Sequence, residues 1–213
     1  MKPLIARACL TSCLLAVVVA AVTAVPAAAE VVYTQVNISV PVGGYYNIDV
    51  NGDGVTDFTL GSKLLQGYCQ AGDEYEWSLT AIPDNGNAVV IAADHTGANY
   101  ASSLTKGVPV DTSQSFSTSA SLMAELYWGN CGAGTFGEWL NLPARYLGLQ
   151  FQDEAKQIHY GWAEMSTAAY VDQNGHLQTS TILLGFAYET VPGQGILTGQ
   201  IADGPQGPGT HRR

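Results

Sequence analysis

Positive charge is what this 213-residue chain has least of: eight Lys and Arg stand against eighteen Asp and Glu. Two of the eight, Lys2 and Arg7, fall in the N-terminal leader. From Glu30 onward only Lys63, Lys106, Arg145, Lys156, Arg212 and Arg213 remain, and the formal charge is −12. Phosphate contacts need Lys and Arg, so a surface this acidic repels DNA, RNA and anionic membrane. Nucleic acid is excluded as a partner. The ordinary reading of such acidity is solubility outside the cell.

Cysteine is also scarce. Cys9 and Cys13 belong to the leader, which leaves the pair Cys69 and Cys131. An even pair in an oxidising compartment predicts a disulfide. It would close a loop of roughly 60 residues, with about 4 kcal/mol as the upper figure of the chain-entropy model. No Cys-x-x-Cys spacing supports a redox or metal pair. Recognisable catalytic motifs are missing as well. There is no Gly-x-Ser-x-Gly elbow, no His-Glu-x-x-His and no phosphate-binding loop. No amphipathic helix longer than about ten residues and no internal repeat can be found.

The first 29 residues read as a secretory signal peptide. Lys2 and Arg7 supply the positive region, Leu14–Val25 the apolar run, and Ala27-Ala28-Ala29 the small residues before Glu30. The alternative is a transmembrane anchor, for which the run is short against the about 20 residues of a span. Leu10-Thr11-Ser12-Cys13 loosely matches an acylation box, but Cys13 precedes most of the apolar run. After cleavage no membrane span is expected, and 184 residues remain, enough for one domain with a real core.

Beyond the leader the periodicity is two. Val32, Val36, Ile38 and Val40 alternate with polar residues, as do Tyr46, Ile48 and Val50, and then Phe58 and Leu60. Trp77, Leu79 and Ala81 follow the same rule. The turn 83–87 leading into 88–93 reads as a hairpin. Ala120, Leu122, Ala124, Leu126 and Trp128 predict an inward face. So do Leu147, Leu149 and Phe151. A turn at 153–156 leads into Ile158, Tyr160 and Trp162. A last pair runs through 168–171 and 182–188 around Asn174-Gly175. Segment 94–115 reads as a long loop, and 201–213 as a disordered tail. The expectation is all-β: a single antiparallel β-sandwich or jelly-roll-like domain over 30–200, carrying one Asp-rich metal loop.

That loop is Asp49-Val50-Asn51-Gly52-Asp53-Gly54-Val55-Thr56-Asp57. Asp49, Asn51, Asp53 and Asp57 occupy positions 1, 3, 5 and 9 of a calcium loop, and the Val55 carbonyl falls at position 7. Calcium is a hard cation that takes six to eight oxygens. Position 12 is Leu60, where helix-loop-helix sites place a bidentate Glu. The departure argues for a static brace between two strands, its shell completed by water or a distant acid, with weak affinity of roughly 0.1–1 mM. The alternative is an ion-free Asn-Gly/Asp-Gly turn. It crowds three carboxylates, which is costly without a cation.

Other combinations are weaker. His159 and Glu164 differ in parity, so they point to opposite faces of a strand. Tyr160 and Trp162 share the parity of Ile158 and read as core. Glu138-Trp139 and Asp94-His95 are acid–aromatic pairs of the kind that can hold sugars.

Four stretches carry a resemblance. They are Asp49–Phe58, Leu104-Thr105-Lys106-Gly107-Val108-Pro109-Val110, Tyr146–Phe151 leading to His159–Ala163, and Phe186–Ile196. Together they resemble a group of uncharacterised secreted bacterial β-proteins, many of which bear PEP-CTERM-type sorting tails. The resemblance implies a secreted single domain and assigns no catalytic residue. This chain lacks the Pro-Glu-Pro and the apolar span of such a tail, which favours free secretion or periplasmic residence.

Three functional classes follow. The favoured one is a non-enzymatic extracellular module braced by calcium, binding glycan or matrix or serving a structural envelope role. The alternatives are a secreted polysaccharide hydrolase and a subunit of an envelope assembly that pairs through a sheet edge. Exposed aromatics across one sheet would favour glycan binding. Clustered carboxylates in a concave site away from 49–57 would favour hydrolysis. A long free edge would favour assembly.

Overall fold

A computed structural model describes residues 29–93 and 99–202. It is all-β, with no helix among the described residues. The first strands are β1 (Val31–Ser39), β2 (Tyr45–Ile48), β3 (Phe58–Cys69), β4 (Gly72–Pro83) and β5 (Ala88–Ala93). Short strands follow: β6 (Asn99–Ala101), β7 (Pro109–Val110) and β8 (Phe116–Ser117). Then come β9 (Ser121–Gly129), β10 (Gly132–Gly137), β11 (Leu142–Gln152), β12 (Ile158–Val171), β13 (Leu177–Glu189) and β14 (Ile196–Leu197).

Most strands belong to one sheet, in the order β1-β13-β12-β11-β5-β6-β9-β4-β3-β2, with β10 added to β9 and β8 to β5. Pairing is antiparallel except between β6 and β9, which run parallel at Tyr100 and Leu122. The sheet is therefore mixed, against the purely antiparallel expectation. It curls, because one core takes side chains from both of its ends. Phe58, Leu60, Trp77 and Leu79 come from β3 and β4, and Leu147, Leu149, Phe151, Met165 and Leu183 from β11–β13. A smaller cluster around Val110, Tyr146, Tyr160, Trp162 and Ile196 covers the opposite face of β11–β13. Both faces of β12 are thus buried over 159–163, and Tyr160 and Trp162 are core residues, as their parity predicted.

The pattern departs from the sequence reading at three places. The Pro83–Asn87 turn does not close a hairpin. Asn85 and Gly86 take left-handed φ of 55° and 83°, and the Asn87 N–H donates to the Asp84 carbonyl. But β5 leaves β4 and pairs with β11 and β6, so the turn carries the chain across the sheet, past β9 and β6. Second, the inward face of β9 changes parity. Leu79 faces Ala124 while Thr80 faces Leu122, so Met123 is an inserted residue that is fully buried, as is Ser121. A bulge adds one residue to one strand and shifts its phase. Third, segment 94–115 is not a plain loop, since β6 and β7 lie within it; residues 94–98 are outside the described residues. So are the leader through residue 28 and most of the tail, 203–213.

Candidate functional site

The 49–57 loop joins β2 to β3 where Ile48 and Phe58 face each other. Asp49 gathers the loop onto itself. Its Oδ1 accepts from the N–H groups of Gly52 (2.7 Å) and Asp53 (3.2 Å), and its Oδ2 from Gly54 (2.8 Å). Asn51 Oδ1 accepts from Asp53 N–H at 3.1 Å, and Asp53 Oδ1 from Val55 N–H at 2.8 Å. Asn51 Nδ2 donates to Asp53 Oδ2 at 3.0 Å. The Val55 side chain is exposed, so only its carbonyl is of use to an ion. Leu60, at position 12, is fully buried in the core.

Asp57 sits behind this cluster. It is 3% exposed. Its Oδ2 accepts from Val50 N–H at 2.8 Å and its Oδ1 from Asn87 Nδ2 at 3.0 Å. Asn87 Oδ1 in turn accepts from Gln152 N–H at 3.0 Å. One buried polar chain therefore ties the loop, the crossover turn and the end of β11 together. Burial pushes the Asp57 carboxyl up to about 6; the bonds from Val50 and Asn87 pull it down, and the charges of Asp53 and Asp49 push it further up.

A cleft of about 320 Å³ opens between the loop and the 153–156 turn, lined by Asp53, Asp57, Asn87, Asp153, Glu154 and Lys156. Among the described residues no three His, Cys, Asp or Glu side chains converge into a metal-holding group. The donor set is nonetheless all oxygen, which suits a hard cation. A carboxylate has about four lone-pair sites, so N–H bonds do not exhaust Asp49 or Asp53.

The remaining sequence candidates are structural. His159 is 6% exposed, with Nδ1 at 2.9 Å from the Glu189 carbonyl and Nε2 at 3.4 Å from Asp153 Oδ2. Glu164 Oε1 accepts from the Tyr146 hydroxyl at 3.0 Å. Burial, then the bond to Glu164, raises that phenol to about 12. The two residues form no acid–base pair. Trp139 is fully buried and donates through Nε1 to the Ala101 carbonyl at 2.8 Å, so it offers no face to a sugar. Asp94 and His95 lie outside the described residues.

The expected disulfide is present, joining Cys69 to Cys131 with Cα atoms 6.3 Å apart. It staples the β3–β4 turn to the β9–β10 turn, where Asn130 N–H also donates to the Asp73 carbonyl at 2.9 Å.

Beside this staple lies a face that the sequence reading did not find. Strands β3, β4, β9 and β10 run side by side, and their register sets three lines of side chains across the outer surface. Lys63, Ser78, Glu125 and Phe136 form one line, and Leu65, Glu76, Tyr127 and Gly134 the next. The third is Gly67, Glu74, Gly129 and Gly132, three of them without a side chain. Tyr127 and Phe136 stack with centroids 6.0 Å apart and planes inclined by 20°. The result is a groove of about 540 Å³ lined by Leu65, Tyr127, Phe136 and the carboxylates of Glu74, Glu76 and Glu125. On the opposite face of these strands Tyr75 and Trp128 stack at 5.5 Å beside a second cleft of about 740 Å³. The alternation of Glu125, Tyr127 and Glu74, Glu76 marks these residues as outward. Nothing in one strand says which outward residues of another it faces.

No family model matches this chain, and neither does any curated protein or solved structure.

Proposed function

We propose that this chain is a secreted, non-enzymatic module that binds glycan on the Tyr127–Phe136 face. One observation carries the reading: two outward aromatic rings stack beside a glycine-lined strip, with three carboxylates around them. Aromatic faces pack against the C–H faces of sugars, and carboxylates accept hydrogen bonds from hydroxyls. Shallow, open grooves suit a chain more than a small molecule.

The other parts of the proposal have separate supports. Secretion is supported by the leader pattern and agrees with a disulfide, which persists in oxidising compartments. The likeness to secreted bacterial β-proteins belongs to the same reading. A sandwich-like arrangement is supported by the core that draws on both ends of the curled sheet. Calcium in the 49–57 loop, held by Asp49, Asn51, Asp53, the Val55 carbonyl and Asp57, is supported by the all-oxygen donor set. The repulsion that Asp49 and Asp53 exert on Asp57 also favours a cation. Its role is to brace the β2–β3 connection.

Hydrolysis is the second reading, favoured by Glu125. Its carboxyl is pushed above the ordinary value by burial and by Glu76. Two carboxyls on one surface, one of them raised, are the pairing that glycoside hydrolysis uses. A glycan array with the purified protein tests binding, with Tyr127→Ala as the control whose signals should weaken. A blank array with the unaltered protein would remove the reading. New reducing ends released from a bound oligosaccharide, and lost in Glu125→Gln, would move the assignment from binding to cleavage.

A further inference from the structure

We infer that the Tyr127–Phe136 face takes a cationic glycan, a chain of hexosamines with free amino groups; this rests on the glycan reading above. Glu74, Glu76 and Glu125 line the groove. No Lys or Arg forms an ion pair with any of them among the described residues. The one cation in the three lines, Lys63, faces Ser78 across the strands. Glu76 and Glu125 lie on neighbouring strands as a diagonal pair on one face, since Glu76 faces Tyr127 and Ser78 faces Glu125. Burial, and then the neighbouring Glu76, push the Glu125 carboxyl above its ordinary value. Covering the groove with a neutral sugar would dry out these like charges and leave them uncompensated, which is unfavourable. A uronate or phosphate would add repulsion. An ammonium removes it, and gains further from the ring faces of Tyr127 and Phe136.

The geometry selects a sugar chain over a basic peptide. Peptides that recognise sheets add to an edge through backbone hydrogen bonds and fill alternate side-chain pockets. Here the rings and carboxylates stand on the face. The strip beside them is flat, because Gly67, Gly129 and Gly132 put no side chain on it.

The test is calorimetric titration of the purified protein with a glucosamine oligosaccharide, its fully N-acetylated counterpart and an oligolysine of equal charge. A mildly acidic, low-salt buffer keeps the amino groups protonated. The glucosamine chain should bind at least about tenfold more tightly than the acetylated chain and weaken as salt rises. Glu76→Gln should erase that preference. Tyr127→Ala and the more exposed Phe136→Ala should weaken both sugars, with unchanged far-ultraviolet circular dichroism showing that the fold is kept. Equal affinity for the two sugars would overturn the cationic assignment and leave the glycan reading standing. Binding of neither sugar would overturn both. Oligolysine binding as tightly as glucosamine, and unaffected by Phe136→Ala, would show a general cation surface and overturn the assignment to a sugar.

Discussion

The ring of Tyr127 lies flat over Gly134 on the neighbouring strand. A methyl group at Gly134 would meet the ring's Cε1 and hydroxyl at 2.5 Å. The two residues face each other in register between β9 and β10. Glycine here has no unusual backbone role; it is the missing side chain that lets the aromatic platform lie down.

Gly134→Ala is therefore expected to lift the Tyr127 ring off the sheet with little loss of stability. The atoms it meets are the far end of a side chain that can turn away, and surface changes of this kind stay within about 0.5–1 kcal/mol. Sugar affinity should fall about tenfold, since one stacked ring is worth about 1–1.5 kcal/mol. Thermal melting and titration on the same sample separate the two effects. Unchanged affinity would show that the ring's position does not matter.

Calcium should raise the melting temperature relative to chelator. At an ion concentration roughly tenfold above Kd the gain is about 1.4 kcal/mol. Asp53→Ala should abolish the difference, because Asp53 lines the cleft and closes the loop through Val55. Identical melting in calcium and chelator would remove the metal from the account.

Asp57 gives a pH signature with a definite sign. Its folded carboxyl, near 6, lies above its ordinary 3.8. The native state therefore takes up this proton before the unfolded chain does. In chelator, Asp57 contributes a gain in stability as the pH falls from about 7 towards 4. Calcium favours the carboxylate and should flatten that trend. Asp111, Asp153 and Asp172 have lowered values, so their contributions are lost only at lower pH. Melting curves across this range, with and without Asp57→Ala, check the sign. That variant should also cost about 1–3 kcal/mol, because it leaves the buried Val50 N–H without an acceptor and takes from Asn87 Nδ2 one of its two, the residue-57 carbonyl remaining.

Replacing Cys69 and Cys131 by Ser should lower stability by about 2–4 kcal/mol. It should also weaken glycan binding, since the bridge pins the two turns that bear the groove's glycine strip. Reductant added to the unaltered protein should reproduce both effects. A loss of stability with full binding would separate the staple from the groove.

Much of the site was hidden from the sequence for one reason. Asp49, Asn51 and Asp53 are neighbours along the chain, so their grouping could be read directly. The partner of Asp57 could not, because Asn87 reaches it only through a turn that crosses the sheet instead of closing a hairpin. Glu138-Trp139 looked like a sugar site by its chemistry, yet Trp139 is buried. Glu76 and Tyr127 drew no notice, yet they stand side by side.

By itself the sequence determined the all-β class, the disulfide pair and the acidic surface. Period-two alternation, a leftover pair of cysteines and a count of charges are properties of short stretches or of totals. Tertiary structure alone decided which face each strand presents past its bulges, where the chain crosses over, and which acids and rings share one surface. These depend on register between distant strands, and a single inserted residue such as Met123 turns a strand's inside out.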